Sequence, residues 1–153
     1  KNLMLFFTGF SRFSSDIAVK QKEATKNKVN ELIEMKNLVN EAEKILTSKT
    51  ELIEFGKLLD YTWKLKRGIT DNISNNSIDD LYKIATNAGA IGGKLLGAGG
   101  GGFMLFYVEE DKQEKVKEAF KDLLHVPFDF ENGGSRIMYY KSEDFDVESV
   151  KKR

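Results

Sequence analysis

Glycine is concentrated in one stretch of this sequence, and that stretch is the strongest candidate for binding chemistry. Eight of the 13 glycines lie between positions 89 and 102. The densest part of the stretch is Gly97, Ala98, Gly99, Gly100, Gly101 and Gly102. Glycine accepts positive φ angles, so successive backbone N–H groups can converge on a phosphate. Glycines also allow a plain turn into a strand, or a close approach of two backbones. The spacing alone leaves both uses open.

Two common nucleotide-binding loops do not fit this stretch. Gly97 to Gly102 satisfy the letters G-x-G-x-x-G, but the dinucleotide fingerprint follows a strand and opens a helix. Here a predicted helix precedes the glycines, and the apolar, β-rich run 103–108 follows them. A Walker A loop places Lys after its last glycine, where this sequence has Phe103, and Lys94 comes before the loop. The pattern therefore disfavours a Rossmann site and excludes a Walker A site.

Two further groups of polar residues are candidates for anion binding. Arg12 and Ser14 precede a helix predicted from residue 17 to about residue 25, where free N–H groups, a hydroxyl and a guanidinium can hold a phosphate. The simpler interpretation is that Ser14 caps this helix. Lys64 and Arg67 end another predicted helix, where the negative end of the helix dipole favours cations in any case.

The periodicity of apolar residues places these candidates on an α+β framework. Strands are predicted at 3–8, 103–108, 126–130 and 136–140, with a hairpin turn at 132–134. Helices are predicted from 29 to 46 with one buried stripe, from a capping box at 48–51 through Trp63 in the core, from Ser77 to Gly89, and from 111 to 124. This order predicts a ferredoxin-like, four-stranded, mainly antiparallel sheet with several helices packed on it.

Composition agrees with one ordinary domain and excludes several classes of function. The 153 residues are 41% hydrophobic and 31% charged, with a net charge of zero, so no global field attracts nucleic acid. There is no cysteine, and the single histidine, His125, is interpreted as structural, so no metal site is predicted. No run is long enough to span a membrane, and we expect a cytoplasmic protein.

The glycine stretch and its flanks carry a resemblance to a known family. Residues 92–103, GGKLLGAGGGGF, resemble the third, C-terminal glycine motif of the GHMP small-molecule kinases, which include galactokinase, homoserine kinase and mevalonate kinase. Residues 61–67, 78–82 and 8–15 are similar to the sugar-kinase branch that acts on D-glycero-D-manno-heptose 7-phosphate. The resemblance covers about residues 3 to 140 and implies the same C-terminal fold.

The resemblance also implies what this chain does and does not carry. Residues 1–141 would be the C-terminal domain and 142–153 a charged tail, without the N-terminal domain that holds the main ATP loop, the catalytic acid and most Mg²⁺ contacts. ATP and Mg²⁺ would be the cofactors, the N-terminal domain the partner, and the fragment alone inactive. Residues Gly97 to Gly102 would lie near the nucleotide phosphates, and Arg12, Ser14, Lys64 and Arg67 near a sugar phosphate.

The implied reaction is transfer of the γ-phosphoryl group of ATP to the anomeric hydroxyl of a heptose 7-phosphate, a step toward nucleotide-heptose for surface polysaccharide. Three alternatives remain at this point. The first is another GHMP kinase with a galactokinase-like acceptor. The second is a ferredoxin-like regulatory module that binds a small molecule, because fold does not determine function. The third is a purely structural or dimerising domain.

Overall fold

The computed structural model describes residues 2–10, 19, 22–71 and 73–139. Arg12, Ser14 and the predicted tail 142–153 therefore lie outside the described residues. The strands are β1 (Leu3–Phe7), β2 (Gly92–Leu95), β3 (Phe103–Tyr107) and β4 (Leu124–His125). The α-helices are α1 (Val29–Thr47), α2 (Ile53–Arg67), α3 (Asn76–Ala88) and α4 (Gln113–Ala119), with short 3₁₀ helices at Thr25–Asn27 and Glu110–Lys112.

The four strands form one antiparallel sheet in the order β2-β3-β1-β4, which confirms the predicted α+β class. Phe6 of β1 pairs with Met104 of β3, and Phe106 of β3 pairs with Gly93 of β2. Because neighbouring residues in a strand face opposite sides, Met4, Phe6, Met104 and Phe106 share one face of the sheet, and all four are buried. The helices supply the rest of this core.

Trp63 of α2 is fully buried in that core, as predicted, together with residues of α3 and α4. The further members from the helices and the connecting segments are Ile73, Ile78, Tyr82, Ala85, Ala90, Val108, Val116 and Phe120. Phe6 and Phe120 meet edge to face at 4.9 Å between ring centroids. His125 lies 5.0 Å from the same Phe6 ring, so it packs as part of the framework.

Two of the four predicted strands are wrong, and one strand was missed. Residues 126–130 and 136–139 form no strand in the structure. The predicted hairpin between them does not form; instead, Gly133 N donates to the side chain of Glu131 at 2.7 Å. The missed strand, β2, begins with Gly92 and Gly93, whose low strand propensity hides it from pattern analysis. Tertiary packing creates it, since a β-carbon on Gly92 would overlap the Gly56 carbonyl of α2.

Four helix predictions also need correction. The helix predicted from 111 to 124 covers only Gln113–Ala119, and Leu124 begins β4. The helix at 29–47 is present, but none of its residues is buried, because it packs on α2 rather than on the sheet. The capping box at 48–51 does not form: α2 begins at Ile53, and Ser48 Oγ accepts from Thr50 N instead. Helix α3 begins one residue before Ser77 and is capped by Asn75, whose Oδ1 accepts from Ile78 N. Its predicted end is confirmed, because Gly89 has φ of 118°.

The contact between α2 and β2 gives a stability prediction. Ala at position 92 would drive a methyl group into the Gly56 carbonyl and within 2.8 Å of the Asp60 β-carbon, so we expect Gly92→Ala to lower the free energy of unfolding by about 2 kcal/mol or more. Gly68→Ala is the control: φ there is −72° and the nearest atom, Leu65 O, lies 3.4 Å away, so its effect should stay within about 1 kcal/mol. Urea unfolding followed by the fluorescence of Trp63, the single tryptophan, measures both. Equal stability of the two variants would contradict the proposed packing.

Candidate functional site

The glycine loop, residues 96–102, connects β2 to β3 as the end of a hairpin. Leu96 N donates to Phe103 O at 2.8 Å and closes the loop. Four of its glycines have positive φ: Gly97 at 72°, Gly99 at 119°, Gly100 at 76° and Gly102 at 100°. Side chains rarely adopt these angles, so the loop needs glycine for its backbone shape. The strand after the loop, β3, was predicted from the sequence, whereas the strand before it, β2, was not.

The end of β1 holds the loop from one side. Gly102 O accepts from both Thr8 N at 2.8 Å and Thr8 Oγ1 at 2.9 Å, and Gly102 N donates to Phe10 O at 2.8 Å. Thr8 is only 3% exposed, so this hydroxyl bond is shielded from water. A β-carbon on Gly101 would lie 2.7 Å from Phe10 O. The loop and the chain after β1 therefore touch backbone to backbone.

The connection between α2 and α3 holds the loop from the other side. Gly100 N donates to Ile73 O at 2.9 Å, and Asn75 Nδ2 reaches Gly100 O at 3.4 Å. A β-carbon on Gly99 would lie 2.8 Å from the same Ile73 oxygen. Asn75 therefore caps α3 with one side-chain atom and contacts the loop with the other.

The bonded amides of the loop alternate with amides that have no partner in the described part of the chain. Gly100 N and Gly102 N are bonded as described, whereas Gly99 N and Gly101 N donate to no described residue. Gly99 is a buried residue and Gly101 is half-buried. Positive φ angles and unpaired amides together are the backbone features of an anion-binding nest.

Lys66 is the cation in contact with the loop, and sequence reasoning did not select it. Its Nζ donates to Gly97 O at 2.6 Å. Burial lowers the pKa of Lys66, and the nearby Lys94 ammonium lowers it further. Lys94 itself lines a cavity of about 230 Å³ between α1 and α2. No feature of the sequence distinguishes Lys66 from Lys64 and Arg67, since all three cations lie in the last turn of α2.

A polar groove lies beside the loop, between the end of α2 and the start of α3. Its volume is about 470 Å³, within the usual range for small-molecule sites. Its lining has no large apolar side chain and consists of Lys64, Arg67, Gly68, Thr70, Asp71, Ser74, Asn75, Asn76 and Asp79. Two cations and two carboxylates cancel in charge, so the groove suits a ligand with many hydrogen-bonding groups.

Lys64 and Arg67, which were selected from the sequence, both line this groove, and both have protein partners. Arg67 Nη2 bonds Asp79 Oδ2 at 2.7 Å, and Ser74 Oγ donates to Asp79 Oδ1 at 2.6 Å. The Arg67 guanidinium also lies 6.0 Å from the Trp63 ring centroid. These contacts orient Arg67 while leaving its other N–H groups for a ligand.

Lys64 is held by Asp60, which also binds Tyr82. Lys64 Nζ lies 2.6 Å from Asp60 Oδ2, and Tyr82 donates its hydroxyl to Asp60 Oδ1 at 2.6 Å. Burial raises the pKa of Tyr82, and the Asp60 hydrogen bond raises it further. Tyr82 therefore stays protonated and donating, and Asp60 fixes α2 to α3 beneath the groove.

The described residues contain no group of three or more His, Cys, Asp or Glu side chains that could hold a metal ion. No helix in the described ranges is long and apolar enough to cross a membrane. Arg12 and Ser14, the other predicted site residues, lie outside the described residues.

Comparison with known proteins agrees with this arrangement. The family model for "GHMP kinases C terminal" matches residues 42–126, more than half of the chain. The D-glycero-alpha-D-manno-heptose 7-phosphate kinase of Campylobacter jejuni is 31% identical over 123 residues, which are 77% of this chain and 35% of the relative. The mevalonate kinase of Pyrococcus abyssi is 36% identical over 89 residues, 57% of this chain and 26% of the relative.

The fold is shared with solved kinases. The crystal structure of L. major mevalonate kinase with R-mevalonate superposes with a TM-score of 0.69 at 18% identity, covering 80% of this chain and 40% of that one. The predicted C-terminal fold is thereby confirmed. This chain spans about a third or less of the length of the two curated relatives named above.

The Thr8 contact gives a prediction that separates the two sides of the loop. Thr8→Val removes the buried hydroxyl bond to Gly102 O, at a cost of about 1 kcal/mol, so the Gly102 amide should exchange with solvent about five times faster. The Gly100 amide, which bonds Ile73 O, should change much less. Amide hydrogen exchange by NMR measures both. Thr8→Ser retains the hydroxyl and should leave both rates near their original values; an unchanged Gly102 rate in Thr8→Val would show that the hydroxyl does not hold the loop.

Proposed function

The chain belongs to the GHMP kinase family, as that family's C-terminal domain, and on this premise we propose that it is the C-terminal half of an ATP-dependent sugar kinase. The single observation that carries the proposal is the glycine loop, which lies in the matched region and has two backbone amides, Gly99 N and Gly101 N, without a partner among the described residues. Family membership favours this function over a regulatory or purely structural domain. The acceptor we propose is a heptose 7-phosphate, phosphorylated at its anomeric hydroxyl.

Phosphoryl transfer requires mainly placement and stabilisation of charge. In the proposed enzyme, the amides of Gly99 and Gly101 bind phosphate oxygens of ATP, and the Lys66 ammonium adds positive charge beside them. The two backbone clamps at Thr8 and Ile73 keep these donors in place before the nucleotide arrives, so little reorganisation is needed during the reaction.

The N-terminal half would supply the remaining chemistry. Because the described residues hold no metal cluster, we assign Mg²⁺, which would neutralise phosphate charge when bound, to ligands of that half. The base that activates the sugar hydroxyl would also come from there. This chain contributes no catalytic residue in the proposal, and its role is to position the two substrates.

The groove is the proposed contact with the acceptor. Asp79, Ser74 and Asn75 offer donors and acceptors that match sugar hydroxyls, and the free N–H groups of Arg67 match a phosphate oxygen. Lys64, with its ammonium paired to Asp60, would give weaker support. Arg12 and Ser14, which lie outside the described residues, remain proposed contacts to the phosphate of the acceptor.

A second acceptor class is favoured by a specific observation. Several of the similar curated proteins are mevalonate kinases, one of them at 36% identity. Mevalonate carries a carboxylate, which Arg67 can also bind. The acceptor assay below therefore includes it.

The acceptor prediction concerns the intact kinase, meaning this chain together with its N-terminal half. We expect ADP release from ATP with D-glycero-D-manno-heptose 7-phosphate and little with galactose or mevalonate. Arg67→Met should raise the KM for the heptose phosphate about 10- to 100-fold, because a charged hydrogen bond contributes roughly 1.5–3 kcal/mol, and leave the KM for ATP near its original value.

Lys83→Met is the matched control, because Lys83 forms an exposed ion pair with Asp80 on α3 and does not line the groove. If the enzyme phosphorylates mevalonate and no sugar, the proposed heptose acceptor is wrong and the second acceptor class is correct. No turnover of any acceptor by folded enzyme would overturn the kinase proposal.

The loop prediction concerns Gly100. Its φ of 76° is strained for a β-branched residue, so Gly100→Val should displace the loop and lower kcat/KM on the order of 100-fold, while the sheet remains folded. Circular dichroism checks folding, and steady-state kinetics with varied ATP measures the loss. A kcat/KM within a few-fold of the original would mean that the loop is a turn without a role in catalysis.

A further inference from the structure

The described C-terminal segment, residues 135–139, leaves large apolar side chains in solvent. Ile137 is 80% exposed, Met138 87% and Tyr139 80%. Among the described residues, the last backbone bond to the sheet is Val126 N to Leu5 O at 2.8 Å. Consecutive large apolar side chains in water are a feature of interaction surfaces.

The sequence of this segment is that of a strand. β-branched and aromatic residues favour strands, and the pattern from Arg136 predicts one. Among the described residues it has only local hydrogen bonds, such as Arg136 Nη2 to Glu131 Oε2 at 2.6 Å. A strand needs a neighbour to bond its backbone groups, and none is provided here.

Neither edge of this chain's own sheet pairs with the segment. β2 forms one edge and pairs only with β3 among the described residues, and β4, Leu124–His125, forms the other edge and pairs only with β1. The described residues therefore supply no ladder partner for the segment.

We propose that residues 135–139 pair as an added strand with a sheet edge of the N-terminal kinase half; this inference rests on the proposed function. Relatives are about three times as long as the region they share with this chain, so a large further part of such an enzyme exists. A half that is already bound through the active site has a high effective concentration, often in the millimolar range for linked modules. It would therefore outcompete a second copy of this chain at micromolar concentration.

Strand addition would assign the exposed residues to defined faces. Ile137 and Tyr139 would lie on one face of the extended sheet and Met138 on the other. The backbone hydrogen bonds would provide affinity, and the alternating side chains would determine the register of the added strand. The segment would then hold the two halves together at a place distinct from the glycine loop and the groove.

Hydrogen exchange tests this pairing without depending on activity. In the isolated 153-residue chain, the amides of residues 136–139 should exchange almost without protection. In the intact kinase, they should exchange about 100-fold more slowly or better, because ladder bonds must open first. The amides of Met104 and Phe106 in β3 are the internal control and should be protected in both samples.

Each outcome has a definite meaning. Equally fast exchange of residues 136–139 in both samples overturns the inference, even if the kinase acts on a sugar. Protection in the isolated chain that increases with its concentration assigns the segment to a second copy and also overturns it. Protection in an intact protein that phosphorylates no acceptor would support the pairing while the proposed function fails.

Discussion

The close approach of three backbones at the glycine loop is the constraint on which the rest of the structure depends. Gly99 meets Ile73, Gly101 meets Phe10, and Gly102 shares its carbonyl with the amide and hydroxyl of Thr8. Any side chain at Gly99 or Gly101 would separate these segments. The end of β1, the start of α3 and the hairpin between β2 and β3 therefore have fixed positions relative to one another.

A second set of contacts connects the glycine loop with the groove and with the hydrophobic core. Asn75 joins the α3 terminus to the loop, Asp79 orients Arg67, and Arg67 lies over the buried ring of Trp63. Exposed ion pairs such as Lys83–Asp80 contribute little to stability, but the partly buried Arg67–Asp79 pair also has a hydroxyl donor from Ser74. The groove is thus ordered before a ligand binds, which reduces the entropic cost of binding.

Much of the framework could be predicted from the sequence, because β1, β3, α1 and the end of α3 follow local patterns of polarity and glycine. β2 could not, since its first two residues are glycines that only packing against α2 turns into a strand. The capping box at 48–51 matched the letters of the motif, but the first turn of α2 begins later. The buried stripe on α1 was expected because periodicity shows amphipathicity without showing what covers it.

The site was predictable where residue type alone carries the chemistry. The sequence points to the glycine loop, and the structure places Lys64 and Arg67 in the lining of one groove; their role in binding stays a prediction. Thr8, Ile73, Asn75 and Lys66 were not selected, because their roles arise from long-range contacts with the loop. The predicted strand at 136–140 is the instructive case: its residues favour a strand, but no neighbour is available within the described chain.

The most direct test of the account is an NMR titration of the intact kinase, labelled with ¹⁵N-glycine, with a non-hydrolysable ATP analogue. The account predicts that the amide resonances of Gly99 and Gly101 shift strongly, because these amides bind phosphate oxygens. The resonance of Gly56, which packs against Gly92 at the end of β2 away from the loop, should shift little. Saturable binding of the analogue without a shift of Gly99 or Gly101 would contradict it, and the loop would then be a hairpin turn that only connects two strands.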